Sequence, residues 1–250
     1  LRASLSAHHI DRFATAIMTT DNRPKHRTLS LNLEGIEGAG DTKNLIISGC
    51  SKGAGMIHPN MATMLAYLFT DAPIESQDLQ VLWGEVCQHS FNAISIDGDT
   101  STNDTALILS SGDAGSSFLK GAALRLFKEA AQILASALAI DILRDGEGVE
   151  HVAHIHILGA RTKDEARQIA EVIALSPLDK TAMNGCDPNW GRIIAAIGRS
   201  GVKVNPDLID LSIGEGLIYN HGVWGGIDAE RIAHQAMKTT EYSISIRLNL

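Results

Sequence analysis

From Thr28 to Leu33 the chain reads TLSLNL, apolar and polar residues in strict alternation, which is the period-two pattern of a half-buried strand. GIEGAGD follows as a turn and NLIIS returns as a second strand, so the pattern predicts a hairpin. Ahead of it, residues 3–18 carry Leu5, Ile10, Phe13, Ala14 and Ile17 at roughly helical spacing. An amphipathic helix is expected there, giving way to a loop at about Thr19, the first Thr of MTTD. CSKGAGMIHPN, with Gly53, Gly55 and Pro59, fits neither period and is expected to be an ordered loop. MATMLAYLF is a buried apolar segment, and SFNAISI and TALILSSG read as strands separated by the polar loop DGDTSTND. Lys120 to Leu143, rich in Ala, Leu, Lys and Glu and free of Pro, is the clearest long helix, with Gly146 of RDGEG as a left-handed C-cap.

After Glu150 the pattern alternates between the two element types. HVAHIHI is expected as a strand, and the capping box Thr162-Lys-Asp-Glu165 opens a helix. DKTAMNGCDPNWG is expected as a loop feeding the helix RIIAAIG, with Asn189 as cap. Strands near IDLSI and GLIYN, a helix from Asp228 to about Lys238 and a last strand YSISIRL complete the chain. Neither a tandem repeat nor a low-complexity linker interrupts it. The fold class is α/β, with a smaller α/β subdomain expected from about residue 150.

Composition narrows the partners. At 250 residues, with 44% hydrophobic and 20% charged content, the chain can bury a large core. A formal charge of -8 argues against nucleic acid and anionic membrane surfaces, both of which need clustered Lys and Arg, and favours a small-molecule partner. No run approaches the roughly 18 apolar residues of a membrane span. The N-terminal LRASLSAHHID lacks a secretory layout and an initiator Met, which reads as an internal start. Cys50, Cys87 and Cys186 are odd in number and widely spaced. That is poor material for disulfides or a metal site, so a reducing, intracellular compartment is expected. His151, His154 and His156 cluster in HVAHIHI, but without a Cys or carboxylate at ligand spacing they read as solvated strand residues, and no metal is expected.

The segment KGAGMIHPNMATMLAYLFTDAPI, residues 52–74, concentrates the candidate chemistry: a Gly-rich loop with one Lys, then a Thr that opens an apolar run. By its chemistry alone Thr63 is open to three roles, substrate ligand, cap or nucleophile, since a hydroxyl attacks only when a base activates it. Lys52 suits a carboxylate or a solvated loop position equally.

KGAGMIHPNMATML closely resembles the cleavage-site motif of the ornithine acetyltransferase family. AIMTTD at 16–21, FNAISIDGDTSTND at 91–104, RDGEG at 144–148 and KTAMNGCDPNWGRIIAAIG at 180–198 agree in the same order. The resemblance implies the layered sheet-and-helix fold shared with the self-processing aminopeptidases. It further implies backbone cleavage between Ala62 and Thr63 that makes Thr63 the N-terminal nucleophile of a new chain. Residues 1–62 would then belong to an α chain and 63–250 to a β chain, assembled as a heterotetramer of two of each. The activity implied is transfer of acetyl from N-acetylornithine to glutamate, without a cofactor, with acetyl-CoA as a further substrate in some members. The cytoplasm is the expected location, or the mitochondrial matrix in a fungus. Carried over by motif, Thr19, Lys52, Thr63 and Glu147 bind substrate, with Thr20 the competitor for Thr19. DGDTSTND receives no catalytic role, its side chains being expected to satisfy nearby backbone groups. In the family a region before AIMTTD supplies a Thr-Gly oxyanion pair and an Asn-containing tail follows the last strand. Only 15 residues precede Ala16 here and the sequence stops at Leu250, so it reads as truncated at both ends. An amidase or aminopeptidase on the same scaffold, or a non-catalytic remnant, are the alternatives.

Overall fold

The computed structural model describes residues 9–58, 64–101 and 103–250. They divide into two compact units, Leu1–Gly148 and Val149–Leu250.

In the first unit, α1 (Ile10–Ala16) precedes the hairpin β1 (Lys25–Asn32) and β2 (Asn44–Lys52). Next come β3 (Leu65–Thr70), α2 (Ser76–Gln88), β4 (Thr105–Ser110) and the long α3 (Gly121–Arg144). The sheet order is β1-β2-β3-β4, antiparallel at the first two pairings and parallel at the third. The alternation of TLSLNL sets the hairpin register, Leu29 opposite Ile47 and Leu31 opposite Leu45. The helix α3 packs on β1 and β2, where its fully buried Phe127, Leu134, Leu138 and Ile142 join Leu45, Ile47 and Leu68 in one apolar core. At Gly49 a Cβ would stand 2.7 Å from Leu134 Cδ2, so a side chain there would force the packed leucines of α3 and β3 to shift.

SFNAISI does not form the expected strand. Phe91–Ala93 is a turn of 3-10 helix, because Phe91 and Ile94 both drop into the core while Asp97 is drawn to another loop. Cys50, Ser51 and Lys52 extend β2 instead of starting a loop. The left-handed C-cap expected at Gly146 is absent. The N–H groups of Asp145 and Gly146 bond back to the carbonyls of Ile142 and Leu143, a tight three-residue closure that needs no positive φ. Gly148 is the residue in the left-handed region, at φ 70°. Of the expected N-terminal helix, Ile10–Ala16 is described; its first residues lie outside the described segments.

In the second unit, β5 (Val152–Leu158), α4 (Lys163–Ala174), α5 (Pro177–Asn184) and α6 (Trp190–Gly198) lead to β6 (Asp210–Ile213), β7 (Gly216–Asn220) and β8 (Val223–Trp224). Then α7 (Ile227–Met237) and β9 (Glu241–Arg247) finish the unit. Its sheet order is β5-β9-β6-β7-β8, parallel at the first pairing and antiparallel at the rest. Both expected caps are present, Thr162 Oγ1 accepting from Glu165 N at 3.1 Å and Asn189 Oδ1 from Arg192 N at 3.3 Å. The expected loop DKTAMNGCDPNWG is helical in its first part. Ser176 caps α5 and Pro177 occupies its first turn, a start that Pro favours because it needs no N–H there.

Asp179 in α5 is 1% exposed, and among the described residues neither carboxylate oxygen completes a hydrogen bond. Burial raises its proton affinity above the ordinary carboxylate range, offset only in part by the neighbouring Ser176 side chain, which itself accepts from the Asp179 N–H, and by the charges of Arg199 and Arg192. A carboxylate in a first turn gains about 0.3–1 kcal/mol from the helix dipole, less than the 1–3 kcal/mol or so that an unsatisfied buried polar group costs. Asp179→Leu is therefore expected to stabilise the protein by about 1–2 kcal/mol at pH 7, measured by denaturant unfolding. A raised folded-state affinity helps the native state only at low pH and is lost as pH rises, so the advantage of the variant should grow from about pH 4 upward. Equal midpoints for both proteins across that range would contradict this.

Candidate active site

Three segments far apart in sequence meet at the end of β2. Lys52 is the last residue of that strand, paired with Leu65 of β3, and is only 7% exposed. Its Nζ donates to Thr19 Oγ1 at 3.3 Å, so of the two threonines in MTTD the first is the one it touches. That hydroxyl is its acceptor among the described residues, which leaves ammonium hydrogens without a bond, and a shielded ammonium in that state favours an anionic ligand. The exposed Glu147 follows α3. Its N–H donates to Ala54 O at 2.7 Å, and its carboxyl carbon lies 3.2 Å from where a Cβ on Gly55 would stand. A side chain at 55 would press on this carboxylate and shift it by a few tenths of an ångström.

Under these residues lies a buried ion triad. Lys25 Nζ reaches Asp21 Oδ1 and Asp145 Oδ2, both at 2.6 Å, with side chains no more than 5% exposed. Asp21 also accepts from Gly53 N at 2.7 Å and Thr19 N at 3.2 Å, and Asp145 accepts from Asn22 N at 3.0 Å. Burial pushes both carboxyls up, but for Asp21 the Gly53 N–H, the Lys25 ammonium and the Thr19 N–H together outweigh it. For Asp145 the Lys25 ammonium and Asn22 do the same. Both stay below the ordinary carboxylate range and remain charged at neutral pH.

Ala62 and Thr63 lie outside the described residues; the chain on either side of residues 59–63 is gripped by DGDTSTND. Asp97 accepts from Met56 N at 2.5 Å and Ile57 N at 3.1 Å, and Ile96 N donates to Ile57 O at 2.8 Å. Met56 sits at φ 55°, a conformation a side-chain-bearing residue holds only under such constraint. On the far side Asp104 Oδ1 accepts from Met64 N at 2.8 Å, and Thr105 N donates to Met64 O at 3.2 Å. The other oxygen of Asp104 is shielded and has no hydrogen-bond partner among the described residues. Burial raises its proton affinity, opposed by the Met64 N–H and by the charge of Lys52. The motif does satisfy backbone groups, both its own, as at Asp99 and Asn103, and those of Met56, Ile57 and Met64 on either side of residues 59–63.

Asp21, Asp97, Asp104 and Asp145 were not singled out by the sequence reading, although each stands inside one of the blocks quoted above. Lys25 carried no such signal. Among the described residues no group of three or more His, Cys, Asp or Glu could hold a metal ion. His154 Nε2 meets Glu241 Oε2 at 3.4 Å and His151 Nδ1 meets Thr239 O at 2.8 Å. All three cysteines are free, and burial pushes the Cys50 and Cys87 thiols up to about 12. No described helix is long and apolar enough to cross a membrane.

Among the described residues the buried Lys52 ammonium has hydrogens to spare, and the carboxylate of Glu147, from a separate segment, lies over the loop that follows Lys52; together they suit a ligand with a carboxylate and an ammonium. Comparison with known proteins identifies the family. The ArgJ family model matches residues 1–250. The arginine biosynthesis bifunctional protein ArgJ of Dehalococcoides mccartyi is 43% identical over 248 residues, covering 98% of this chain and 59% of that protein. Its counterpart in Geobacter sulfurreducens is 41% identical, with coverage of 100% and 62%. The crystal structure of arginine biosynthesis bifunctional protein argJ from Bacillus halodurans superposes with a TM-score of 0.72 at 37% identity, over 75% of this chain and 89% of that one. The chain thus spans about three fifths of the length of the curated relatives it matches.

Proposed function

The chain belongs to the ArgJ family, and on that premise we propose that the protein transfers acetyl from N-acetylornithine to glutamate through an acetyl ester on Thr63, in arginine biosynthesis. The observation that carries this reading is the shielded Lys52 ammonium, bonded to Thr19 and placed at the start of the loop beneath Glu147. Lys52 takes the α-carboxylate of the substrate, Thr19 orients that lysine and Glu147 faces the ammonium at the other end.

Maturation precedes catalysis. The Thr63 hydroxyl attacks the Ala62 carbonyl, the peptide C–N bond breaks, and water hydrolyses the resulting ester to free the Ala62 carboxylate and the Thr63 amine and hydroxyl. An α-amine titrates at about 7.7–8.0 in simple peptides, so part of it is neutral near pH 7 and removes the proton from its own hydroxyl. The hydroxyl oxygen then attacks the acetyl carbonyl of N-acetylornithine, and the amide nitrogen departs with a proton as ornithine. The amine of glutamate next attacks the acetyl ester, giving N-acetylglutamate and restoring Thr63. This is a ping-pong scheme in which donor and acceptor share one site. Acetyl-CoA is a further donor under the same reading, and the assembly is a heterotetramer of two α chains (to residue 62) and two β chains (from 63), in the cytoplasm.

The test supplies N-acetylornithine to the full-length protein with and without glutamate. Ornithine release that depends on glutamate, with matching N-acetylglutamate, is the expected result. Release at the same rate without glutamate would make the protein an amidase. For Glu147→Gln, which keeps the shape and removes the charge, kcat/KM for N-acetylornithine is expected to fall about tenfold. That is the low end of what a charged hydrogen bond contributes, because Glu147 is exposed and partly screened. Unchanged kinetics would remove Glu147 from the substrate site.

A further inference from the structure

We propose that Asp21, Lys25 and Asp145 act as one positioning device that keeps Thr19, Lys52 and Glu147 in register for a substrate bearing a carboxylate at one end and an ammonium at the other. This rests on the acetyl-transfer reading for the identity of the substrate, but its geometry stands by itself. The contacts close into a ring. Lys25 bonds Asp21, and Asp21 bonds the N–H of Gly53, the residue after Lys52. One residue further, Ala54 O takes the N–H of Glu147. Two residues before Glu147, Asp145 returns to Lys25. Asp21 also holds the N–H of Thr19, so one lysine fastens all three substrate segments.

Lys25 itself is not a substrate ligand. Its ammonium has three hydrogens and three acceptors, Asp21, Asp145 and, at 3.5 Å, Arg23 O, and the residue is 2% exposed. It is saturated and sealed. The contrast with Arg27, two residues along the same strand, is instructive. Arg27 pairs with Asp141 of α3 at 2.7 Å, with side chains 42% and 16% exposed, and neither partner bonds a substrate segment. Both pairs tie β1 to α3 or the residue capping it, but only the buried one reaches the site. A ring anchored on buried ion pairs is stiff, because the Lys25 bonds to Asp21 and Asp145 are short and shielded from water. It removes alternative arrangements of the empty site, so less binding free energy is lost to ordering it.

The experiment uses the full-length protein with Asp145→Asn, Lys25→Met and the control Arg27→Gln. Asp145→Asn keeps an oxygen for the Asn22 N–H and leaves Asp21 and Lys25 as a balanced pair, so it is the variant expected to fold normally. Lys25→Met strands two buried carboxylates and is the more disruptive change. For Asp145→Asn the KM for N-acetylornithine is expected to rise about tenfold or more while kcat moves less than about threefold, the pattern of lost ground-state binding. Hydrogen exchange should accelerate together at the amides of Gly53 and Glu147, which lie on opposite sides of the ring, and at neither in Arg27→Gln. A folded Asp145→Asn protein with wild-type KM overturns the proposal, as does faster exchange near residue 147 with Gly53 unchanged. If the wild-type protein fails to turn over N-acetylornithine, the acetyl-transfer reading is lost and the exchange comparison still decides whether the ring acts as a unit.

Discussion

Thr63→Ala is expected to leave the full-length protein as a single uncut chain with acetyl transfer reduced by more than about 10⁴-fold, the scale seen when a covalent nucleophile is deleted. The wild-type protein should instead appear as two chains, the second beginning Thr-Met-Leu-Ala-Tyr. Alanine removes the oxygen that attacks the Ala62 carbonyl, and without cleavage no α-amine forms to serve as base, so one substitution removes nucleophile and base together. Thr63→Ser keeps the oxygen but loses the methyl group that restricts χ1, so slower cleavage with residual transfer is expected. The described chain is anchored on both sides of residues 59–63: Asp97 holds Met56 and Ile57 ahead of them, and Asp104 and Thr105 hold Met64 behind them. N-terminal sequencing and intact mass of both proteins decide the question. An uncut Thr63→Ala chain that still transfers acetyl at the wild-type rate would refute the threonine mechanism.

The parts of the fold that local sequence could specify were legible. TLSLNL set the β1–β2 register by alternation alone, the Ala- and Leu-rich run gave α3, and the Thr162–Glu165 box marked the start of α4. SFNAISI misled because β-branched and aromatic residues suit a strand or a plug in the core equally, and here Phe91 and Ile94 are plugs. Two helices were readable but missed. Ser176-Pro177 is a start signal standing before the Asn-Gly-Cys-Asp-Pro run that argues for a loop. Leu79, Leu82, Trp83 and Val86 carry the helical period of α2, for which strand alternation supplies no element. The site divided along the same line. Thr19, Lys52 and Glu147 came from motifs, whereas Lys25 stands at the head of an amphipathic strand where a lysine suggests solvent. Its partner Asp145 is 120 residues away, a distance at which no local pattern speaks.

Lys52→Met is expected to lower kcat/KM for N-acetylornithine and for glutamate by about 100-fold, the upper range for losing a charged hydrogen bond in a shielded place. The effect should exceed that of Glu147→Gln because Lys52 is buried whereas Glu147 meets solvent, and screening weakens an exposed charge. Methionine fills the space of the lysine stem without a charge, so the fold should survive; removing an ammonium that has one hydrogen-bond acceptor among the described residues, at 3.3 Å, spares a desolvation cost. Both substrates should suffer, since each presents an α-carboxylate to the same ammonium in its half of the ping-pong cycle. A loss confined to one substrate would place Lys52 elsewhere. The substitution also removes the positive charge that opposes the burial of Asp104, so that carboxyl should hold its proton to still higher pH in the variant. Asp104 holds the N–H of Met64, directly after the proposed nucleophile, and cleavage could slow for that reason alone. Intact mass must therefore come first, and the kinetics be taken on fully cleaved protein. Matured Lys52→Met enzyme with wild-type kcat/KM for both substrates would show that the carboxylate is bound by some other group.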